Sequence, residues 1–223
     1  MFPHFVKRYI RKTTSIIKDT FYIMIRSTMK CNKCFKINYS FKTFNFLIFK
    51  LKNVKEFNQK PPYNKLNIYD AFNFYIREEV LVGDNKIYCN CCKQLTIDKQ
   101  QQFIYSLPKV LIIILDRGKN NQDFKEEFQF PKVLDLSIGN YVINTPNNRN
   151  NTHFYLQSVI THLGQSASGG NFISYCRNGA NEEFLCYNDS IVSKANVEQV
   201  MSSNISENIY ENKTPYILVY HDM

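Results

Sequence analysis

The spacing of apolar positions changes several times along the chain, and each change predicts an element. Val110 to Leu115, VLIIIL, is a continuous apolar run behind Pro108, which predicts a strand buried on both faces at the centre of the core. Asp19 to Cys31 is rich in aromatic and β-branched residues and reads as a strand running into C-N-K-C. Tyr39 to Lys52 places Phe41, Phe44, Phe46, Ile48 and Phe49 at mostly alternate positions among lysines, the pattern of another strand. After the Pro61-Pro62 break the period lengthens, and Asn67 is placed to cap a short helix with Ile68, Ala71, Phe72, Tyr75 and Ile76 on one face.

Beyond that helix the chain reads as strand and turn. Gly83-Asp84-Asn85 supplies a turn before the strand that delivers a second cysteine pair, and Gln100 to Leu107 is a further strand. Phe128 to Ser137 predicts a shorter strand with a proline at its edge. Asn144 to Asn151 and Ser202 to Thr214 are polar loops, Asn196 to Met201 a helical turn, and PYILVYHD a closing strand. Met1 to Ile17 is basic and suits a short helix without an evident role.

One stretch, Phe154 to Val192, concentrates the chemistry. Tyr155 to His162, Phe172 to Cys176 and Phe184 to Tyr187 read as strands of a meander. Three of the chain's seven glycines, Gly164, Gly169 and Gly170, fall in the loop after the first strand, where the backbone can take positive φ or lie close against another extended chain. Such a loop suits peptide binding.

Composition narrows the class. At 223 residues, 44% hydrophobic and 15% aromatic, the chain can bury one fair-sized core or a core with an appended module. The longest apolar run is far short of the roughly 18 residues of a membrane span, so no membrane partner is expected. The N-terminal FVKRYIRK lacks a signal-peptide core and only faintly resembles a transit peptide, so a cytoplasmic or nuclear protein is the default. Net charge is +9, which suits nucleic acid or anionic membrane. The Lys and Arg residues are spread out and no base-reading motif presents them, so they read as a solvated surface.

The seven cysteines are odd in number and include two C-x2-C pairs, Cys31 with Cys34 and Cys89 with Cys92, a pattern of metal rather than disulfides. Two such knuckles can aim four thiolates at one zinc ion, and a shell closed in that way is structural. The bland alternative is a set of reduced, partly buried thiols. Cys91 leaves the second knuckle open, since it can replace Cys89 or Cys92 if the turn shifts. Cys176 and Cys186 lie in predicted strands and read as small core hydrophobes.

The order of these segments resembles one family. H-x-G at His162, a small-residue loop, G-N-F-x-x-Y at Gly170 to Tyr175, then N-D-x-x-V at Asn188, is similar to the catalytic His box of the ubiquitin-specific proteases, papain-like cysteine peptidases. IIKDTFYIMIRSTMKCNKC, FYIREEVLVGDNKIYCNCC, SLPKVLIIILDRG, FPKVLDLS and PYILVY resemble further segments of that family in the right order, covering roughly residues 19 to 221. The resemblance implies an α+β, mainly β fold: a partial papain-like hand of zinc-ribbon fingers and an antiparallel palm sheet, with the thumb missing. Its divisions would be a basic segment 1–18, a fingers region 19–106 with a structural Zn2+, and a palm region 107–223.

The same resemblance implies a degenerate site. In the family, the residue after the last loop glycine is the histidine that deprotonates the nucleophilic cysteine; here it is Asn171. Asn188 stands at the spacing of the residue that orients that base, and Asp189 follows it. The family's nucleophile box has no counterpart before Cys31 in this sequence. An amide does not titrate near neutral pH, and losing one triad member costs on the order of 10³ to 10⁶ in rate by analogy with serine proteases. His162 lies on the far side of the loop and is not expected to substitute; His4, His153 and His221 have no motif context and read as surface or satisfied residues.

The first expectation is therefore a catalytically inactive ubiquitin-specific-protease-like chain. It would still bind ubiquitin or a ubiquitinated protein through Gly164, Gly169, Gly170 and Phe172, with another chain as a candidate to supply the thumb. The alternatives are an active deubiquitinase whose cysteine box lies upstream of Met1, and a basic zinc-ribbon module for nucleic acid, the less favoured class.

Overall fold

The computed structural model describes residues 15–59, 65–118, 124–143, 151–166, 168–179, 183–201 and 213–223. The basic lead segment with His4, the Pro61-Pro62 break and most of the polar stretches 144–151 and 202–214 lie outside them. The described elements are, in order, α1 (Ile16–Phe21), β1 (Ile23–Cys31), β2 (Ile37–Phe44), β3 (Leu47–Lys50), α2 (Leu51–Asn58), β4 (Leu66–Asn67), α3 (Ile68–Tyr75), β5 (Glu79–Leu81), β6 (Ile87–Cys89), β7 (Gln94–Thr96) and β8 (Asp98–Ser106). There follow β9 (Val110–Asp116), β10 (Phe128–Gln129), β11 (Val133–Asp135), β12 (His153–Ser166), β13 (Gly169–Arg177), β14 (Phe184–Asn188), β15 (Ile191–Ala195), α4 (Val197–Met201) and β16 (Lys213–Asp222). The fold is mainly β with short helices, as expected.

Two sheets organise it. A four-stranded antiparallel sheet runs β2-β1-β8-β5, and a larger sheet runs β15-β14-β13-β12-β16-β9-β3 with β11 beside β12. The base of the small sheet enters the main core, because Ile23, Ile25 and Ile104 cluster with Leu111, Ile113, Leu156, Val159 and Leu218. The single strand expected over Tyr39 to Lys52 is three elements. Its alternation breaks at Asn45, where the chain leaves the small sheet; β3 then pairs in parallel with β9 in the large one. Leu51 and Val54, three apart and both fully buried, turn the continuation into α2.

VLIIIL also differs from expectation. Leu111, Ile113 and Leu115 are buried, while Val110, Ile112 and Ile114 are only half-buried, so the run is an alternating strand. It sits next to the edge strand β3 rather than at the sheet's centre. The strand expected over Phe128 to Ser137 is two strands of three residues or fewer in different sheets, β10 on β4 and β11 on β12, with Pro131 in the gap between them.

Asn67 does cap its helix. Its side-chain oxygen accepts from the N–H groups of Tyr69 (2.9 Å) and Asp70 (3.1 Å), while the Asp70 carboxylate accepts from the Asn67 N–H (2.9 Å). This reciprocal box starts α3 where Ile68, Ala71 and Phe72 become fully buried, with Phe72 edge-on to Phe49 at 5.2 Å. Asn67→Ala is expected to lower stability by about 1 kcal/mol in denaturant unfolding, and Asn67→Ser to recover most of it.

Candidate functional site

Two regions gather the residues singled out in the sequence. The first is the far end of the small sheet. Each C-x2-C knuckle is a tight turn closed by the residue just after it: the Phe35 N–H returns to the Cys31 carbonyl at 3.0 Å and the Lys93 N–H to the Cys89 carbonyl at 2.8 Å. Both closing residues take left-handed φ, 58° and 56°, so the knuckles share one backbone solution. Pairing of β1 with β8 and the Asn32 N–H to Ile97 carbonyl bond (3.2 Å) bring the two turns together.

The result is a four-sulfur cluster. Sγ of Cys31 lies 3.8 Å from that of Cys92, Sγ of Cys34 lies 3.7 Å from that of Cys89, and all four fall within 4.8 Å of one another. A regular tetrahedron of sulfurs 2.3 Å from a central ion has edges of about 3.8 Å, so the donor set fits a tetrahedral thiophilic cation. Backbone N–H groups, that of Cys34 first, lower the Cys31 pKa, whereas burial raises that of Cys92. Cys91 is exposed and outside this group.

The second region is the hairpin of β12 and β13. Register pairs His162 with Phe172 and Leu163 with Asn171, so His162 and Asn171 project from opposite faces. Asn171 is exposed. Its Nδ2 donates to Asn188 Oδ1 at 2.9 Å and to Asp189 Oδ2 at 3.5 Å, and its Oδ1 accepts from the Phe172 N–H at 2.8 Å. Asn188 ends β14, and Asp189, at φ 51°, turns the chain into β15. The three residues expected as a degenerate site therefore form one hydrogen-bonded group.

The glycines are not equivalent. A Cβ at Gly170, whose φ is 145°, would lie 2.3 Å from the Leu163 carbonyl oxygen, and one at Gly164 would lie 2.6 Å from that of Gly169. Both crowd the His162 ring below. A Cβ at Gly169 would meet nothing within 4 Å among the described residues, so their packing does not require glycine there. Phe172 is 52% exposed and leans on His162 (ring centroids 4.9 Å) and Tyr216 (5.5 Å).

Three participants escaped sequence reasoning. Arg117, 2% exposed, donates through Nε to the Pro215 carbonyl (2.8 Å) and through Nη1 to those of Phe124 (3.0 Å) and Glu126 (2.5 Å); burial lowers its pKa to about 10. Phe124 and Tyr216 flank His162 at 5.3 and 6.0 Å. An arginine directly after an apolar strand was the available signal. Cys176 sits 3.3 Å from the Ser158 hydroxyl, and Cys186 lies opposite Tyr175. His153 and His221 are exposed beside Asp135 and Asp222. Among the described residues no helix is long and apolar enough to cross a membrane.

Comparisons with known proteins agree with the geometry. The family described as ubiquitin carboxyl-terminal hydrolase matches residues 4–220. Ubiquitin carboxyl-terminal hydrolase Usp2 of Drosophila melanogaster is 29% identical over 215 residues, 95% of this chain and 21% of that protein. Ubiquitin carboxyl-terminal hydrolase 2 of Gallus gallus is 25% identical over 213 residues, 94% of this chain and 56% of that protein. Ubiquitin carboxyl-terminal hydrolase 21 of Homo sapiens is 27% identical over 201 residues, 88% and 34% respectively. The chain thus spans between about a fifth and just over half of these relatives, and it belongs to the ubiquitin carboxyl-terminal hydrolase family.

Proposed function

We propose that this chain binds ubiquitin, or a ubiquitinated protein, without itself supplying the base of a hydrolytic site. The observation that carries the reading is Asn171. An amide stands next to Asn188 where the family resemblance puts a proton acceptor, and both its polar atoms are engaged, Nδ2 by Asn188 and Oδ1 by the Phe172 N–H. A carboxamide neither takes a thiol proton nor returns one to a leaving amine. His162 is no substitute, because strand alternation turns it to the other face of the hairpin. The crowded glycines and half-exposed Phe172 suit a slot for an extended, glycine-containing tail.

Titration of labelled ubiquitin into the full chain is expected to give saturable binding well below about 1 mM, with no cleavage of a ubiquitin-amide substrate. No binding up to that concentration discards the ubiquitin reading. Cleavage at a rate that falls on acidification through the imidazole range would overturn the lost base.

We also propose that the four-cysteine cluster holds a structural zinc ion. Cys31, Cys34, Cys89 and Cys92 would be its ligands, leaving no position for water or substrate, so its contribution is to tie the ends of β1 and β8 together. Purified chain is expected to release one equivalent of zinc to a colorimetric chelator on unfolding. Cys34→Ser should lose the metal, and a stability loss of about 3 kcal/mol would lower the thermal midpoint by roughly 6–12 °C. An unchanged midpoint after metal removal contradicts the assignment.

A further inference from the structure

His162 is a buried titratable group that neither proposal uses. It is 4% exposed, and it closes a four-ring cluster with Phe124, Phe172 and Tyr216 in which each ring contacts the other members or their neighbours at 4.9–6.0 Å. Among the described residues, its buried Nδ1 has no hydrogen-bond partner. The other side of the ring lies directly under the glycine loop: a Cβ on Gly170 would stand 2.6 Å from Nε2 and 2.4 Å from Cε1, and one on Gly164 would stand 2.7 Å from Cε1. The imidazole thus fills the space that the missing side chains leave. The cluster is fixed from behind, because Arg117 holds the carbonyl of Phe124 and, through Pro215, the backbone next to Tyr216.

From this packing we infer that His162 is a positioning residue, a flat wedge that holds Gly164, Gly170 and Phe172 in the shape of a tail-binding slot. The inference rests on the ubiquitin reading for the identity of the tail, but the support of the loop stands on the packing alone. A wedge of this kind has to be uncharged. Phe124 and Phe172 offer ring edges or faces, Gly164 and Gly170 offer backbone, and Thr214, opposite His162 on β16, offers a hydroxyl. Tyr216 is the titratable group in ring contact; Arg117 and Asp116 act on Tyr216 with opposite sign. Among the described residues, none of the groups in contact is a carboxylate that would stabilise an imidazolium.

Burial accordingly lowers the His162 pKa below its ordinary value of 6.5. Above that value the ring is neutral whether the loop is closed or open, and the closed form keeps its full stability. As pH falls below 6.5 the open or unfolded form takes the proton first, so closure weakens until the lowered pKa is passed. The slot is therefore acid-sensitive, by up to about tenfold per pH unit within that window.

The test follows the ring and the loop together in the full, metal-loaded chain by NMR between pH 7.5 and 5. The amides of Gly164, Gly169 and Gly170 are expected to shift and lose exchange protection with the midpoint of the His162 ring, and His162→Phe to make them insensitive to pH. Titration of the ring with no response from the glycine amides overturns the inference, and this wild-type measurement decides it even if the variant does not fold. In parallel, affinity is measured for intact ubiquitin and for ubiquitin lacking its C-terminal tail. Intact ubiquitin should weaken severalfold over the window while the tail-less form stays flat. If intact ubiquitin binds with no pH dependence while the loop responds, the link to the tail is wrong. If neither form binds at any pH, the ubiquitin reading fails, and the loop response alone judges the wedge.

Discussion

The register of β12 is the constraint on which the site depends. This strand pairs with β13 on one side and β16 on the other, and β11 joins its first residues. Its inward positions Phe154, Leu156 and Val159 are fully buried, so a slip by one residue would expose all of them at once. That hydrophobic penalty also assigns faces at the far end of the strand. It sends His162 into the aromatic cluster, and through β13 it leaves Asn171 beside Asn188. Irregular pairing between Leu163 and Ser166 lets the strands part only after those faces are set.

Much of the architecture was legible because its signals are local. The Asn67 cap, the knuckles and the closing strand each rest on neighbouring residues whose chemistry admits few alternatives. Sequence failed where partners from distant segments decide the outcome. Nothing within Tyr39 to Lys52 announces that Phe41 and Phe49 belong to different sheets, since both fit the same alternation. Likewise VLIIIL gives no hint of which side neighbours will leave half-covered.

The site divides along the same line. The cysteines are visible as a motif because their spacing follows from a turn, whereas Asn171, Asn188 and Asp189 are visible only through the family resemblance. Arg117, Phe124 and Tyr216 come from the end of β9, the segment after it and β16, and meet only because β16 lies between β9 and β12. They make packing and backbone contacts that no sequence motif marks. Cys91 shows the converse: spacing alone left it a candidate, and the left-handed turn at Lys93 decides against it by facing Cys89 and Cys92 into the cluster.

The parallel pairing of β3 with β9 bears on how such a chain is made. A ribosome delivers residues from the N-terminus, yet β1 finds its second neighbour only when β8 has emerged, Cys31 and Cys34 meet their counterparts only with Cys89 and Cys92, and β3 waits for β9. The sheet that β3 joins is completed only by β16, the last of the described strands. Every strand from β1 to β16 must therefore exist before the aromatic strands are covered, which leaves apolar surface and strand edges open until late in folding.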